Sequence, residues 1–329
     1  MEQNTSNKIK YLSYFMALFV VMIHAYNVDV YGLTGALAGV ENLISSLASF
    51  AVPTFFAVSG YLFFRNYHPR DTLTKWRKRV FSLVIPYLIW NTIGYLYYVI
   101  PSYIPALSEH LNHAAAFSTK EFFITLIMGY GVNWFLRCLI LFALLSPALY
   151  FLLKNRYIGI LVLIAGFVLG EFVSNYFLYG TFYFYGAYWA IQWKELAERR
   201  YKLGSKLVAI CLLIGSSAFL AFANFSIPSL AKNAILLLGI TLVWIAGDFL
   251  ALPREVPACL GISFFLYVAH DYVLEILEKV FFILLGKTLY GAIIDYFVAP
   301  VIAVAFLTAI SFLLRRAKPL WALLAGSRG

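Results

Sequence analysis

Side chains able to do acid–base chemistry are scarce in this sequence, and among the few that fall inside apolar runs are His24, Arg137, Glu171 and His270. An ionisable group in hydrocarbon is costly, so such residues normally face a bundle interior or a wet cavity. Imidazole changes protonation near neutral pH and can accept a proton from a hydroxyl, as a general base does when a group is moved onto an alcohol. His24, in YLSYFMALFVVMIHAYNVDVY (11–31), is therefore the leading catalytic candidate. Glu171 is a candidate to orient it, and His270, followed by Asp271, offers a second imidazole. Plainer readings stand beside these: structural histidines, and, for Arg137 and Glu171, long side chains reaching the outer interface.

The elements that must position these residues are membrane helices. Of 329 residues, 63% are hydrophobic and 12% charged, with a mean hydropathy of +0.83, whereas soluble domains carry about a quarter charged residues. Apolar runs of spanning length, about 20 residues, fall at 11–31, 42–64, 80–100, 133–153, 157–175, 177–193, 206–223, 233–251, 258–284 and 290–314. The expected fold is an all-α polytopic membrane protein of about ten transmembrane helices, one domain over 1–329 with no appended soluble domain. Only aromatic residues and Gly180 separate the fifth and sixth runs.

Charge sets the orientation. With the N-terminus in the cytoplasm, 20 of the 25 Lys and Arg residues fall in cytoplasmic segments, the asymmetry expected of a positive-inside protein. An odd number of spans would destroy it, so both termini are expected to be cytoplasmic. Lys8 and Lys10 lead into a full-length span with no small-residue cleavage site, and the first helix is expected to remain in the mature protein. The net charge of +10 is thus a property of cytoplasmic loops, and no nucleic-acid partner is expected. Cys138, Cys211 and Cys259 are scattered through apolar segments and read as packing residues, without disulfide or metal spacing.

Two loops stand out. The cytoplasmic RNYHPRDTLTKWRKR (65–79) is a topology signal with headgroup contacts or, more sharply, an anion site. The outer loop from Pro101 to about Asn133 holds His110 and His113, which lack a third ligand nearby and read as solvated histidines; no metal is expected. It also holds FFITLIMGYG, too short to span and suited to an interfacial or re-entrant position.

At a rise of 1.5 Å per residue, His24, Arg137, Glu171 and His270 all fall about 18–24 Å from the cytoplasmic face of a core about 30 Å thick. Four of the few ionisable side chains within the spans thus share one layer on the outer side of the midplane.

Beyond this, HAY at 24–26, AVPTFFAVSGYLFFRN at 51–66, KRVFSLVIPYLIWN at 78–91, NWFLRCLILFALLSP at 133–147 and GISFFLYVAHDYV at 261–273 resemble, in order and over almost the whole chain, the membrane acyltransferase-3 family. The resemblance implies transfer of an acyl group, usually acetyl, from cytoplasmic acyl-CoA to a glycan hydroxyl at a bacterial inner membrane, with the lipid bilayer, acyl-CoA and a glycan or lipid-linked sugar as partners. His24 matches the family's essential first-helix histidine, Arg77 and Arg79 its basic run, Ser59 and Gly60 its small-residue element, and His270 its late histidine stretch. The sequence departs from the family where a basic residue usually stands eleven positions before the histidine: here that position is Ser13. Ser13 shares a helical face with His24, about 16 Å nearer the cytoplasm, and Lys10 lies close to the same face.

The expected donor-binding residues are accordingly Lys10, Ser13, Ser59, Arg65, Arg77 and Arg79, with Lys10 or one of the three arginines replacing the missing base. Ser59–Gly60 reads equally as a close helix contact through small residues. Trp134 and Arg137 are placed to admit a polar acceptor from outside. His24 acts either as general base or as a direct acyl acceptor. The competing class is a transporter of a polysaccharide or small polar solute that uses the same polar layer, although internal repeats and paired broken helices are absent from the sequence.

Overall fold

The computed structural model describes residues 3–104, 116–223, 227–250 and 256–326. His110 and His113 lie outside the described residues. Among the described residues the chain is helical throughout, with no strand. In order it forms α1 (Gln3–His24), α2 (Val28–Tyr31), α3 (Gly35–Ala48), α4 (Ala51–Phe64), α5 (Thr72–Arg79), α6 (Ile85–Val99), α7 (Thr119–Met128), α8 (Trp134–Leu153), α9 (Arg156–Phe172), α10 (Asn175–Gln192), α11 (Lys194–Glu198), α12 (Leu203–Phe222), α13 (Ser229–Ala246), α14 (Ser263–Leu285), α15 (Leu289–Leu314) and α16 (Lys318–Ala325). Eight helical stretches among the described residues are long and apolar enough to cross a membrane, so the protein is a multi-pass membrane protein.

All ten expected runs are helical, but α9 and α10 are not among those eight. α9 has 17 residues, and α10 carries Tyr, Gly and Thr through its middle because it is an interior helix. Its centre, from Leu178 to Ala190, is almost wholly buried. Packed against α4, it needs its tyrosines for shape more than it needs lipid-facing hydrophobicity.

The α4–α10 contact is the closest in the bundle. A Cβ on Gly60 would fall on the Tyr183 carbonyl, and one on Gly186 would fall on that of Ala57. Small residues let the two backbones touch, and in membranes such contact replaces the hydrophobic drive that lipid cannot supply. Gly60 is therefore a packing residue, while its neighbour Ser59 turns towards a cavity.

The first span differs from the expected 11–31. α1 starts at Gln3, ends at His24 itself, and is followed by a break at 25–27 before the short α2. The break is held by Asn27, whose backbone N–H donates to Glu41 at 3.3 Å and whose side-chain amide donates to Asp295 at 3.2 Å. His24 thus stands at the end of a helix, with more than a third of its side chain exposed.

Around the N-terminal part of α1 the helices are knitted by polar contacts. Lys8 pairs with Asp248 at 2.8 Å, and Asp248 also accepts from the Tyr201 N–H at 2.8 Å. Arg65 Nε lies 2.7 Å from Glu198, which also accepts from the Tyr61 hydroxyl at 2.8 Å. α16, which hydropathy does not flag, docks Trp321 against Phe265 with ring centroids 5.5 Å apart, and the Trp90 indole donates to its Leu324 carbonyl at 3.0 Å.

Candidate active site

Two helices build the first half of the site. α1 ends at His24, and α14 packs beside it, carrying His270 and Asp271. His24 Nδ1 lies 3.3 Å from Asp271 Oδ1, and the two imidazole rings are 5.0 Å apart in an edge-to-face arrangement. A carboxylate at Nδ1 holds the proton there and leaves Nε2 with a free lone pair, the tautomer that a general base needs. His270 is wholly buried; its Nδ1 lies 2.7 Å from the Tyr267 carbonyl and 3.1 Å from that of Leu266. Carbonyls only accept, so Nδ1 carries the proton and the buried Nε2, which has no partner, presents a lone pair. The ligand atoms of His24, His270 and Asp271 lie within 4.8 Å of one another, the one cluster of three His, Cys, Asp or Glu side chains among the described residues close enough to hold a metal ion.

The loop before α8 supports this group. Gly131 adopts a φ of +50°, and a Cβ there would meet Asp271 Oδ2 at 3.1 Å. Asn91 fixes that loop by accepting from the Tyr130 N–H at 3.0 Å and the Asn133 amide at 2.8 Å. α7, the short helix before α8, is tied down by the Tyr87 hydroxyl, which donates to the Ile127 carbonyl at 2.7 Å.

The second half is a cavity of about 990 Å³ at the N-terminal part of the same two helices, at the upper end of the range for ligand pockets. Among the described residues its charged lining consists of Lys10, Arg79, Arg315 and Lys318, with no carboxylate. Ser13, Ser59 and Ser263 add hydroxyls, and Phe55, Phe135 and Tyr267 line its apolar part. Tyr267 joins the two halves: it lies one helical turn before His270, their rings are 6.2 Å apart, and its hydroxyl donates to the Val132 carbonyl.

The structure thus gathers Lys10, Ser13, Ser59 and Arg79 on one cavity and His24 with His270 at one site. Other expected residues go elsewhere. Arg65 is committed to Glu198, and Arg77 is exposed on α5 and does not line the cavity. Glu171 accepts from the Ser229 hydroxyl and, at 3.1 Å, from the Asn233 amide. Arg137 donates to the Tyr176 hydroxyl and approaches Met128 Sδ at 3.2 Å. Trp134 packs on Tyr179 at 4.9 Å. The carboxylate at His24 is Asp271, not Glu171.

Three residues of the site were not among the sequence candidates. Asp271 had a visible signal, since it follows a histidine at matching depth. Arg315 and Lys318 had none beyond charge, because tail cations serve equally as topology determinants. Gly261 allows the Arg315 approach: a Cβ there would stand 3.1 Å from the guanidinium, whose Nη1 donates to the Ala258 carbonyl at 3.0 Å.

The chain matches the family described as Acyltransferase domain, of the acyltransferase-3 type, over residues 7–316. It is similar to the succinoglycan biosynthesis protein ExoH of Rhizobium meliloti (strain 1021), with 27% identity over 359 aligned positions that cover 100% of this chain and 94% of the relative. No solved structure matches it. A match over nearly the whole length, on a helical bundle with a histidine site at the end of its first helix, places this chain in the acyltransferase-3 family of membrane enzymes.

Proposed function

We propose that this acyltransferase takes its acyl group, acetyl in the simplest case, from cytoplasmic acyl-CoA and places it on a hydroxyl of a cell-envelope polysaccharide, with His24 as general base. The observation that carries the reading is one helix, α1, with a cation-lined cavity at Lys10 and Ser13 and a carboxylate-held imidazole at His24. Coenzyme A bears several phosphate charges, and guanidinium and ammonium groups without carboxylates nearby suit them. Arg79, Arg315, Lys318 and Lys10 would hold that end, so Lys10 and the C-terminal bases stand in for the base missing at position 13. The pantetheine arm would run past Ser13 and Ser59 to the aromatic group of Phe55, Phe135 and Tyr267.

The chemistry is then a single displacement. The acceptor hydroxyl gives its proton to His24 Nε2 while its oxygen bonds to the thioester carbon. The imidazolium that forms is stabilised by Asp271 at Nδ1. The tetrahedral intermediate expels the CoA thiolate, which takes up the proton from His24, and an ester and free CoA–SH result. His270 Nε2, a second lone pair beside the His24 ring, would accept from a neighbouring hydroxyl of the acceptor sugar and so help to position it. The acceptor class follows the succinoglycan assignment of the relative. The setting is a bacterial inner membrane with ten spans and both termini cytoplasmic. α9 and α10 enter or leave such a count as a pair, so the orientation of the other helices does not depend on them.

Purified protein in nanodiscs, given acetyl-CoA labelled in the acetyl group, tests the reading. Release of CoA with transfer to succinoglycan-type oligosaccharide, lost in His24→Ala, is the expected result. Saturable solute flux without acyl-CoA turnover would point to a carrier instead.

A further inference from the structure

Three residues past His24 a second polar group is sealed into the bundle, and acyl transfer makes no use of it. Asn27, in the break between α1 and α2, donates from its backbone N–H to Glu41 Oε2 of α3 at 3.3 Å. Its side-chain amide donates to Asp295 Oδ2 and the Ala292 carbonyl of α15, each at 3.2 Å. Glu41 is 0% exposed and Asp295 and Asn27 are 4% exposed. Among the described residues neither carboxylate forms an ion pair; the four pairs present all lie elsewhere. The charged neighbour of Asp295 on α14 is another acid, Glu278, and the Tyr31 hydroxyl faces Asp295 from α2. Among the described residues, no protein group stands at hydrogen-bonding distance of Glu41 Oε1, Asp295 Oδ1, Asn27 Oδ1 or the hydroxyls of Tyr31 and Tyr296, all buried; Tyr31 interacts with Asp295, and Tyr296 lies within electrostatic reach of Glu41. The amide orientation is fixed, because Nδ2 already meets two acceptors; its oxygen is the end left over.

Buried carboxylates are normally paired with a cation or bound to a metal. Here every free atom is oxygen, with no nitrogen or sulfur, which selects a hard cation over a transition metal. Two carboxylates supply the charge of a divalent ion, and the amide and phenol oxygens add neutral ligands. We propose that Asn27, Glu41 and Asp295, with Tyr296 beside them, form a binding site for a divalent cation of the calcium class. The site is built from α3, α15 and the turn that continues directly from His24. A bound ion would therefore clamp the end of α1 to both helices and fix the height and rotation of the catalytic imidazole.

The test uses the full chain in detergent, stripped with a chelator and supplied with calcium chloride, against magnesium and sodium chloride at matched ionic strength. Equilibrium dialysis with radioactive calcium is expected to show one saturable ion per chain, and thermal unfolding to shift upward by several degrees as the site fills. Both effects should vanish in Glu41→Gln and Asp295→Asn, whose side chains keep their shape, and weaken in Asn27→Ala, which retains both acids. Dialysis of the wild-type chain stands even where a variant folds poorly. Absence of saturable calcium binding to the wild-type chain would overturn the proposal, as would binding that persists in both acid variants. Stabilisation by acidification alone, with the neutral variants as stable as the calcium-loaded wild type, would also overturn it, because the acids would then be neutralised by protons. None of these readouts depends on acyl transfer.

Discussion

The two ends of α1 do opposite things with charge. At His24 the ionisable groups satisfy one another: an imidazole faces a carboxylate, and a second imidazole is locked by backbone carbonyls. At Lys10, about 21 Å away along the helix, cations from α1, α5 and the C-terminal segment line a cavity with no acid among its described lining residues. On the proposed reading the first arrangement moves a proton and the second holds an anion. Lys8 shows how the difference is made. Two positions from Lys10, it is buried against Asp248 and the face of Trp244, with Nζ 4.3 Å from the ring centroid, and its charge is spent on structure. The proposed function thereby separates chemistry and donor binding along one helix, and variants at the two ends should fail in different ways.

The largest effect is expected at the outer end. His24→Ala should lower kcat by about 10²–10⁴-fold, the worth of a positioned general base, while acyl-CoA binding measured by calorimetry stays unchanged. Asp271→Asn should lower kcat by about 10²-fold, because the amide can hold the wrong imidazole tautomer. An equal loss in KM would join the two ends that the comparison separates. At the inner end the split reverses. Arg315→Ala or Lys318→Ala should each raise KM for acyl-CoA by about tenfold, one charge-assisted contact being worth roughly that factor, with kcat retained.

The smallest effect is expected at the cations already spoken for. Arg65→Ala should leave KM alone and cost about 1–2 kcal/mol of stability, read by thermal unfolding, since its partner Glu198 is largely buried. Burial alone would push the Glu198 carboxyl up, but the hydrogen bonds from Arg65 and Tyr61, with the charges of Arg65 and Lys194, outweigh it and hold the carboxyl below its usual value. A depressed folded value gives stability that is present above the unfolded value, roughly pH 4.3, and lost as pH falls through the folded one. The gap between wild type and Glu198→Gln should therefore be full at pH 7 and close on acidification below about pH 4.

Hydropathy made most of the helices legible, because each span must satisfy its backbone within lipid and so runs long and apolar. A depth could be reckoned for each candidate, since rise per residue is constant. Azimuth was not. Glu171 and His24 share a depth on the extended-run reading, yet Glu171 faces Ser229 and Asn233 on α13, because rotation about the bundle is set by tertiary packing. The end of α1 was hidden for a related reason. Nothing local stops the helix at His24; Asn27 is held by Glu41 and Asp295, far away in sequence. Glu41 itself marked the edge of an expected span that began at 42, whereas α3 starts at Gly35 and carries the acid inside. The docking of α16 likewise left no periodic trace ahead of its contact with Phe265.

The central claim is that one helix carries the base at its outer end and donor contacts at its inner end. The most direct measurement is paired binding and turnover of labelled acetyl-CoA by wild type, His24→Ala and the Arg315→Ala/Lys318→Ala double variant in nanodiscs. The account predicts binding without turnover for His24→Ala, and near-normal turnover for the double variant only at raised acetyl-CoA. Turnover by His24→Ala at the wild-type rate, or full affinity in the double variant, would contradict it.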